Sequence, residues 1–206
     1  MVDGGSSDGT VEWARENGYQ VYIQRQKGIR FAHFEVMPLV EGDIIISFSP
    51  DGNCLVEDIP PLIAKMQQGY DLVIGSRYFG GAKSEDDDFL TRFGNWFFTT
   101  TVNVLHGGHY TDAMTIFRAF RRDLPAELDL MNEEAYRLPE DLFGTKVSWE
   151  PLMSVRAAKA KKKIGEILAI EPKRIAGERK LQIWRWGSVF LFQFIRELFY
   201  WRPGRG

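Results

Sequence analysis

Asp51 and Asn53 sit on either side of Gly52 in the pentad Ser49-Pro-Asp-Gly-Asn53, directly after the apolar run Asp43-Ile-Ile-Ile-Ser-Phe48. A carboxylate and a carboxamide two residues apart supply hard oxygen donors for Mg2+ or Mn2+. Asp51 would bind directly and Asn53 weakly or through water, with nucleotide phosphates completing the shell. The same three residues also suit an ordinary surface turn. Cationic partners for phosphate are Arg77 and, in Glu171-Pro-Lys-Arg-Ile-Ala-Gly-Glu-Arg-Lys180, the residues Arg174, Arg179 and Lys180. Guanidinium forks match phosphate oxygens, so a phosphate-bearing acceptor is one use of this set and structural salt bridges are another. Asp112, in Tyr110-Thr-Asp-Ala-Met114, is a candidate to deprotonate or position an acceptor at an anomeric carbon, with a structural hydrogen bond as the alternative. The loop Val2-Asp-Gly-Gly-Ser-Ser-Asp-Gly-Thr10 offers amides, the Ser6 hydroxyl and the carboxylates of Asp3 and Asp8 to a nucleotide or ribose. Asp86, Asp87 and Asp88 read as a solvated loop face.

These residues need strands and helices to bring them together. Residues 43–48 read as a strand covered on both faces, in the manner of a parallel sheet. Asp58 and the Pro60-Pro61 pair open a helix through Gln68, and Asp71-Leu-Val-Ile74 is a second strand that ends at Gly75-Ser-Arg-Tyr78. Strand, helix and strand with short connections predict an α/β sandwich with its functional groups at the carboxyl ends of the strands. Further helices are expected over 11–17, between Thr10 and Gly18, over 28–40 with Pro38 disturbing the end, and over 89–105 and 151–163. Further strands are expected over 19–23, 115–120 and 164–170. The aromatic-rich tail from Leu181 has no apolar run longer than five residues, too short to cross a bilayer. Its tryptophans and the interspersed Arg185 and Arg196 fit an amphipathic helix at a lipid interface, or one packed on the domain or a partner. The organisation is therefore a domain over 1–180 and a tail over 181–206.

Composition narrows the classes. The 206 residues are 44% apolar, enough for one sizeable core. Cys54 is the single cysteine and the three histidines form no HExxH pattern, which excludes a disulfide framework and argues against a zinc centre. Residues 151–206 carry thirteen Lys or Arg against four Asp or Glu, a net +9, leaving −11 on residues 1–150. An acidic, cation-using part beside a basic part suits phosphates or anionic lipid. No zinc finger, dimerising heptad or aromatic RNA-binding signature is present, so nucleic acid is not an expected partner. The start Met1-Val-Asp-Gly-Gly5 is polar rather than a secretory signal, and the expectation is a peripheral protein at the cytoplasmic face of a membrane.

In order along the chain, these segments resemble the family 2 inverting glycosyltransferases of GT-A fold, and most nearly dolichyl-phosphate mannose synthase and the polyprenyl-phosphate glycosyltransferases. Val2 to Thr10 is similar to the family's Val-Asp-Asp-Gly-Ser-x-Asp-Gly-Thr motif, with Gly4 at the second Asp. Ser49 to Asn53 falls at its Asp-x-Asp metal motif, with Asn53 at the terminal Asp, and Gly75-Ser-Arg-Tyr78 matches in full. Asp112 to Arg118 resembles the family's Asp-x-x-x-x-x-Arg region, and Arg174 to Lys180 its late basic acceptor loop.

The resemblance implies a mostly parallel central sheet, a UDP- or GDP-sugar donor, Mg2+ or Mn2+ at Asp51 and Asn53, and Asp3 and Asp8 near the nucleoside. It further implies Arg77 and the late basic cluster at an acceptor phosphate, possible transfer to a polyprenyl phosphate, and inversion without a glycosyl-enzyme intermediate. The family carries a strand and a Pro-x-Tyr-Asn-Glu segment before the loop that here follows Met1. The expectation is an N-terminally truncated domain whose sheet an upstream segment or partner completes. Alternatives are a catalytically impaired binder of nucleotide sugar or lipid phosphate, and an interaction protein that docks through its aromatic tail.

Overall fold

The structure, a computed structural model, describes residues 1–49, 51–82, 84–173 and 183–204, with residues 183 and 184 described by backbone alone. Strand β1 (Val2–Asp3) leads through the Gly/Ser loop to α1 (Thr10–Glu16) and then to β2 (Tyr22–Ile23), which pairs with β1 in parallel. Gly18, at φ 79°, turns the chain out of α1 in the left-handed region that glycine adopts without strain. Helix α2 (Ile29–Val36) stops short of Pro38, and the chain continues as a 3-10 turn over Met37–Leu39.

The central sheet begins with β3 (Ile44–Ser47), followed by α3 (Ile59–Met66), whose first turn holds the proline pair, and by β4 (Leu72–Ser76). Next come the long α4 (Phe89–His106), β5 (Arg118–Arg121), the short α5 (Leu124–Glu127), α6 (Glu134–Phe143), α7 (Glu150–Lys159), β6 (Ile164–Leu168) and α8 (Ile183–Glu197). The strand order is β3-β5-β4-β6. β4 and β6 run parallel with Leu72 opposite Ile164, whereas β5 is antiparallel to both neighbours, with Arg118 opposite Ser47 and Ile74.

The sheet is therefore mixed rather than mostly parallel. β4 and β5 are joined by a connection that leaves and re-enters at the same end of the sheet, and a chain that returns at the end it left runs antiparallel. β3, expected to be covered on both faces, is only half-buried over Ile44 to Ile46 and meets its partner on one side.

Alternation along the strands sends successive side chains to opposite faces. Leu72, Ile74 and Phe120 join one core with α4, α6, α7 and α8, while Val73 and Ala119 join Leu62 and Met66 of α3 in a second. Helices thus cover both sides of the sheet. Of the two roles that the tail's sequence fits, a lipid interface or a packing surface, α8 takes the second with Val189, Phe190 and Phe194 in the main core. It is tied down by a buried ion pair in which Arg156 donates to Glu197 from Nε at 3.0 Å and Nη2 at 3.1 Å. Arg156 also donates to the carbonyls of Leu128 and Asp129, and Lys159 to those of Glu197 and Trp201.

Removing one member of a buried pair strands the other charge. Glu197→Ala is therefore expected to cost about 3 kcal/mol of stability in urea unfolding, whereas Arg137→Ala, which breaks an exposed pair on α6, leaves the midpoint unchanged.

Candidate active site

Arg77 follows the last residue of β4, and its side chain is only 15% exposed. Asp112, fully buried, accepts from it twice, from Nε at 2.7 Å and from Nη2 at 3.1 Å. The guanidinium also donates to Asn95 of α4 at 3.2 Å and to Glu171 at 3.5 Å. Burial works against its charge, but Asp112 and Glu171 overcome that and hold the Arg77 pKa well above that of a free guanidinium.

Asp112 is itself held from β6. Glu166 accepts from the Thr111 amide and hydroxyl, both at 2.8 Å, and from the Asp112 amide at 3.2 Å. Burial raises the Glu166 pKa, and these donors oppose the rise. Ser76 and Thr111 share a hydroxyl hydrogen bond at 2.6 Å, which fixes the same loop to the end of β4. Arg118, wholly buried, donates to the carbonyls of Thr115 and Glu150 and to the Ser154 hydroxyl, so the approach to β5 is sewn to α7. Residues 115–117, expected as strand, are drawn into that network, and the strand starts at Arg118.

Two hollows meet at Arg77. A cleft of about 140 Å³ is lined by Asp51, Asn53 and Cys54 beyond β3, Gly75 and Arg77 on the β4 side, and Glu171 beyond β6. Gly75 is required there, because a Cβ would lie 2.4 Å from the Phe117 ring. The Asn53 carboxamide nitrogen donates to Asp86 at 3.3 Å, which leaves its buried oxygen Oδ1 without a partner. A buried carbonyl oxygen left over beside Asp51 fits a hard divalent cation. Among the described residues, no group of three or more His, Cys, Asp or Glu is placed to hold a metal, so phosphate oxygens would have to supply much of the shell.

The second hollow, about 270 Å³, lies between α4 and α8 and is chiefly apolar, with Leu90, Phe98, Met114, Trp186 and Phe190 on its walls and Arg77 at one end.

The structure thus brings Asp51, Asn53 and Arg77 to one cleft with Asp112 beneath. Asp3 and Asp8 instead organise their own loop. Asp3 accepts from the amides of Gly5 and Ser6 and from the Ser6 hydroxyl, and Asp8 from the amide and hydroxyl of Thr10. These donors hold both carboxyls below the usual range, Ser6 acting on Asp3 and the Thr10 hydroxyl on Asp8. Among the described residues, neither Asp3 nor Asp8 bonds to a cleft side chain. Arg174, Arg179 and Lys180 lie outside the described residues.

Of the acidic triplet only Asp88 lies exposed, while Asp86 and Asp87 are half-buried. Asp86 meets Asn53, the covered side chain of Asp87 accepts from Tyr78, and Asp88 caps α4 by accepting from the Thr91 amide at 2.7 Å. Sequence reasoning also missed Glu166, Asn95 and Glu171. Only the cap before a long helix, at Asp88, had a local signal that could have been read.

Residues 1–128 match "Glycosyl transferase family 2". Glycosyltransferase AglJ of Haloferax volcanii is 29% identical over 134 residues, 65% of this chain and 44% of that protein. A dolichyl-phosphate hexose transferase of the same organism is 30% identical over 61% of this chain and 54% of its own length. The chain thus spans about half the length of these two relatives. An undecaprenyl-phosphate mannosyltransferase of Micrococcus luteus is 25% identical over 95% of this chain and 84% of that protein. Among solved structures, glucosyl-3-phosphoglycerate synthase of Mycobacterium tuberculosis, crystallised with Mn2+ and UDP-glucose, superposes with a TM-score of 0.57 at 15% identity, over 96% of this chain and 66% of that one. That likeness shows a shared α/β, GT-A-like sandwich. With the family match covering more than half of its length and the sandwich shared, the chain belongs to glycosyl transferase family 2 and resembles the members that act on dolichyl and undecaprenyl phosphates.

Proposed function

We propose that this chain transfers a sugar from a nucleotide diphospho-sugar to a lipid phosphate, with inversion at the anomeric carbon. The observation that carries the reading is that Arg77 lines both hollows, the polar cleft with Asp51 and Asn53 and the apolar cavity between α4 and α8. A cation between an acidic cleft and an apolar one suits an acceptor with a phosphate head and a hydrocarbon tail. The donor diphosphate would lie in the cleft, and UDP is supported by the nucleotide in the M. tuberculosis synthase crystals.

Asp51 and the free Asn53 oxygen would hold Mg2+ or Mn2+. When bound, the cation supplies Lewis-acid stabilisation of the departing diphosphate. Arg77 orients the acceptor phosphate. A phosphate oxygen forms the new bond to C1 as the bond from C1 to the diphosphate breaks, the electron pair leaving with the diphosphate. An ionised acceptor needs no proton removed, so a general base is dispensable. Asp112, buried with both oxygens turned to Arg77, serves as a positioning residue. Arg174, Arg179 and Lys180, shortly after Glu171, add positive charge for the acceptor, and the loop of Asp3, Ser6 and Asp8 would receive the nucleoside. The enzyme would work peripherally at a cytoplasmic membrane face; among the described residues no helix is long and apolar enough to cross one.

Calorimetry with UDP and GDP, with MnCl2 or EDTA, tests the cleft. Nucleotide binding is expected to weaken at least about tenfold in EDTA and to lose its Mn2+ dependence in Asp51→Asn, while Asn53→Asp tightens it. Binding indifferent to EDTA contradicts the metal assignment. In a transfer assay from UDP- and GDP-sugars to a short-chain prenyl phosphate, Arg77→Met is expected to lose at least about 100-fold in kcat/KM. Binding by the unaltered chain without any transfer selects the impaired binder, which Asn53 in place of a second carboxylate favours.

Cys54 gives an independent readout, because burial, reinforced by Asp51, pushes its thiol up to about 11. At pH 8 it should react with a disulfide reagent about 100-fold more slowly than a free thiol, its rate rising about tenfold per pH unit. UDP with Mn2+ should slow it further, and unaltered labelling would place the nucleotide elsewhere.

A further inference from the structure

Helix α4 is amphipathic in the inverted sense. Its buried positions include Asn95, Thr99 and His106, while Phe89 (86% exposed), Leu90, Phe93, Trp96 (60%), Phe97 and Val104 (75%) face outward. Positions 89, 93, 96, 97 and 104 fall on one stripe at helical spacing, along a helix about 27 Å long. The rings form a ridge, with Phe93 centred 5.7 Å from Trp96 and 6.5 Å from Phe97. Polar side chains on the inner face are held within the fold. The Thr99 hydroxyl accepts from the Ala113 amide, Asn95 accepts from Arg77, and one His106 ring nitrogen bonds to the Phe194 carbonyl. Among the described residues the outer apolar face is left exposed, and a stripe of this size marks a contact surface.

We infer that this face of α4 lies in the interfacial layer of a lipid bilayer, an inference that rests on the proposed lipid-phosphate acceptor. Three observations select a bilayer as the occupant. α4 contains no acidic residue, and Arg92 is exposed on it. Phe and Trp are the side chains that an interfacial helix buries at the headgroup boundary. The other flank of the same helix, through Leu90, Gly94 and Phe98, walls the apolar cavity that Arg77 also lines. A helix lying in the interface would hold that cavity where a membrane-borne acceptor keeps its phosphate, so that the hydrocarbon tail need not cross water. Docking through α8 is the competing geometry, since Ile195 on it and Phe199 just beyond its end remain exposed.

The test is flotation of the full chain with 100 nm vesicles of phosphatidylcholine containing about 30% phosphatidylglycerol, together with sedimentation velocity without lipid. The double substitution Phe93→Ser with Trp96→Ser should lower the vesicle-bound fraction at least about tenfold while UDP–Mn2+ binding and the melting temperature hold, and Ile195→Ser with Phe199→Ser should change it little. Wild-type flotation by the α4 variant overturns the inference. So does an equal loss from the α8 variant, or a lipid-free dimer that the α4 variant dissociates while vesicles are ignored. Transfer to a short-chain, water-soluble prenyl phosphate separates this from the acceptor reading. Absent transfer with α4-dependent flotation leaves the docking standing and removes the acceptor, whereas intact transfer without α4-dependent flotation removes the docking.

Discussion

A guanidinium that is almost wholly buried must be matched by a carboxylate, since an unpaired charge away from water costs several kcal/mol. Arg77 meets that requirement with Asp112, and the chain around the site is arranged to deliver it. Glu166 on β6 fixes the backbone of Thr111 and Asp112, Asn95 reaches over from α4, and Arg118 ties the following residues to α7. One cation therefore ties the end of β4 to the loop of Asp112, to α4 through Asn95 and to the segment after β6 through Glu171. The antiparallel course of β5 fits the same constraint, because a loop anchored at the exit of β4 leaves the next strand only the return direction.

The electrostatics give the cleft an order of filling. Asp51, Asp86, Asp87 and Glu171 gather around a single arginine whose charge Asp112 already balances. A bare diphosphate would be repelled from so acidic a hollow, while one that brings a divalent cation would not. A phosphate acceptor arriving beside Arg77 would face the same repulsion, which is why the proposed function assigns the late basic segment to it. The apolar cavity that Arg77 also lines has no such barrier, which suits the hydrocarbon tail of the proposed acceptor.

What could be read from the sequence was local. Apolar runs at 44–47 and 72–76, the proline pair opening α3 and the helix over 89–106 carry their own periodicity or end signals, and the pentad with Arg77 pointed to phosphate chemistry at strand ends. Strand direction has no such signature: the strand expected over 115–120 is present as β5, but its antiparallel course is not written in its residues. Helix α6 was hidden, since Pro139 lies inside it and Glu140 is buried against Arg30, where the pattern reads as solvent face. The partnership of Arg77 with Asp112 spans 35 residues, and no spacing rule announces it. The two aromatic helices mislead in complementary ways: α8 looks interfacial yet inserts Val189 and Phe194 into the core, and α4 looks like a core helix yet turns Phe93 and Trp96 outward. Burial is settled by what the rest of the chain brings to each face, which one segment's pattern does not contain.

The claim at the centre of this account is that Asp112 exists to hold Arg77. A double-mutant cycle of Arg77→Met and Asp112→Leu, read by urea unfolding, measures that directly. The account predicts that each single variant loses about 3 kcal/mol or more, that the double variant loses no more than either, and that the coupling exceeds about 2 kcal/mol. Additive losses, with no coupling between the two positions, would contradict it.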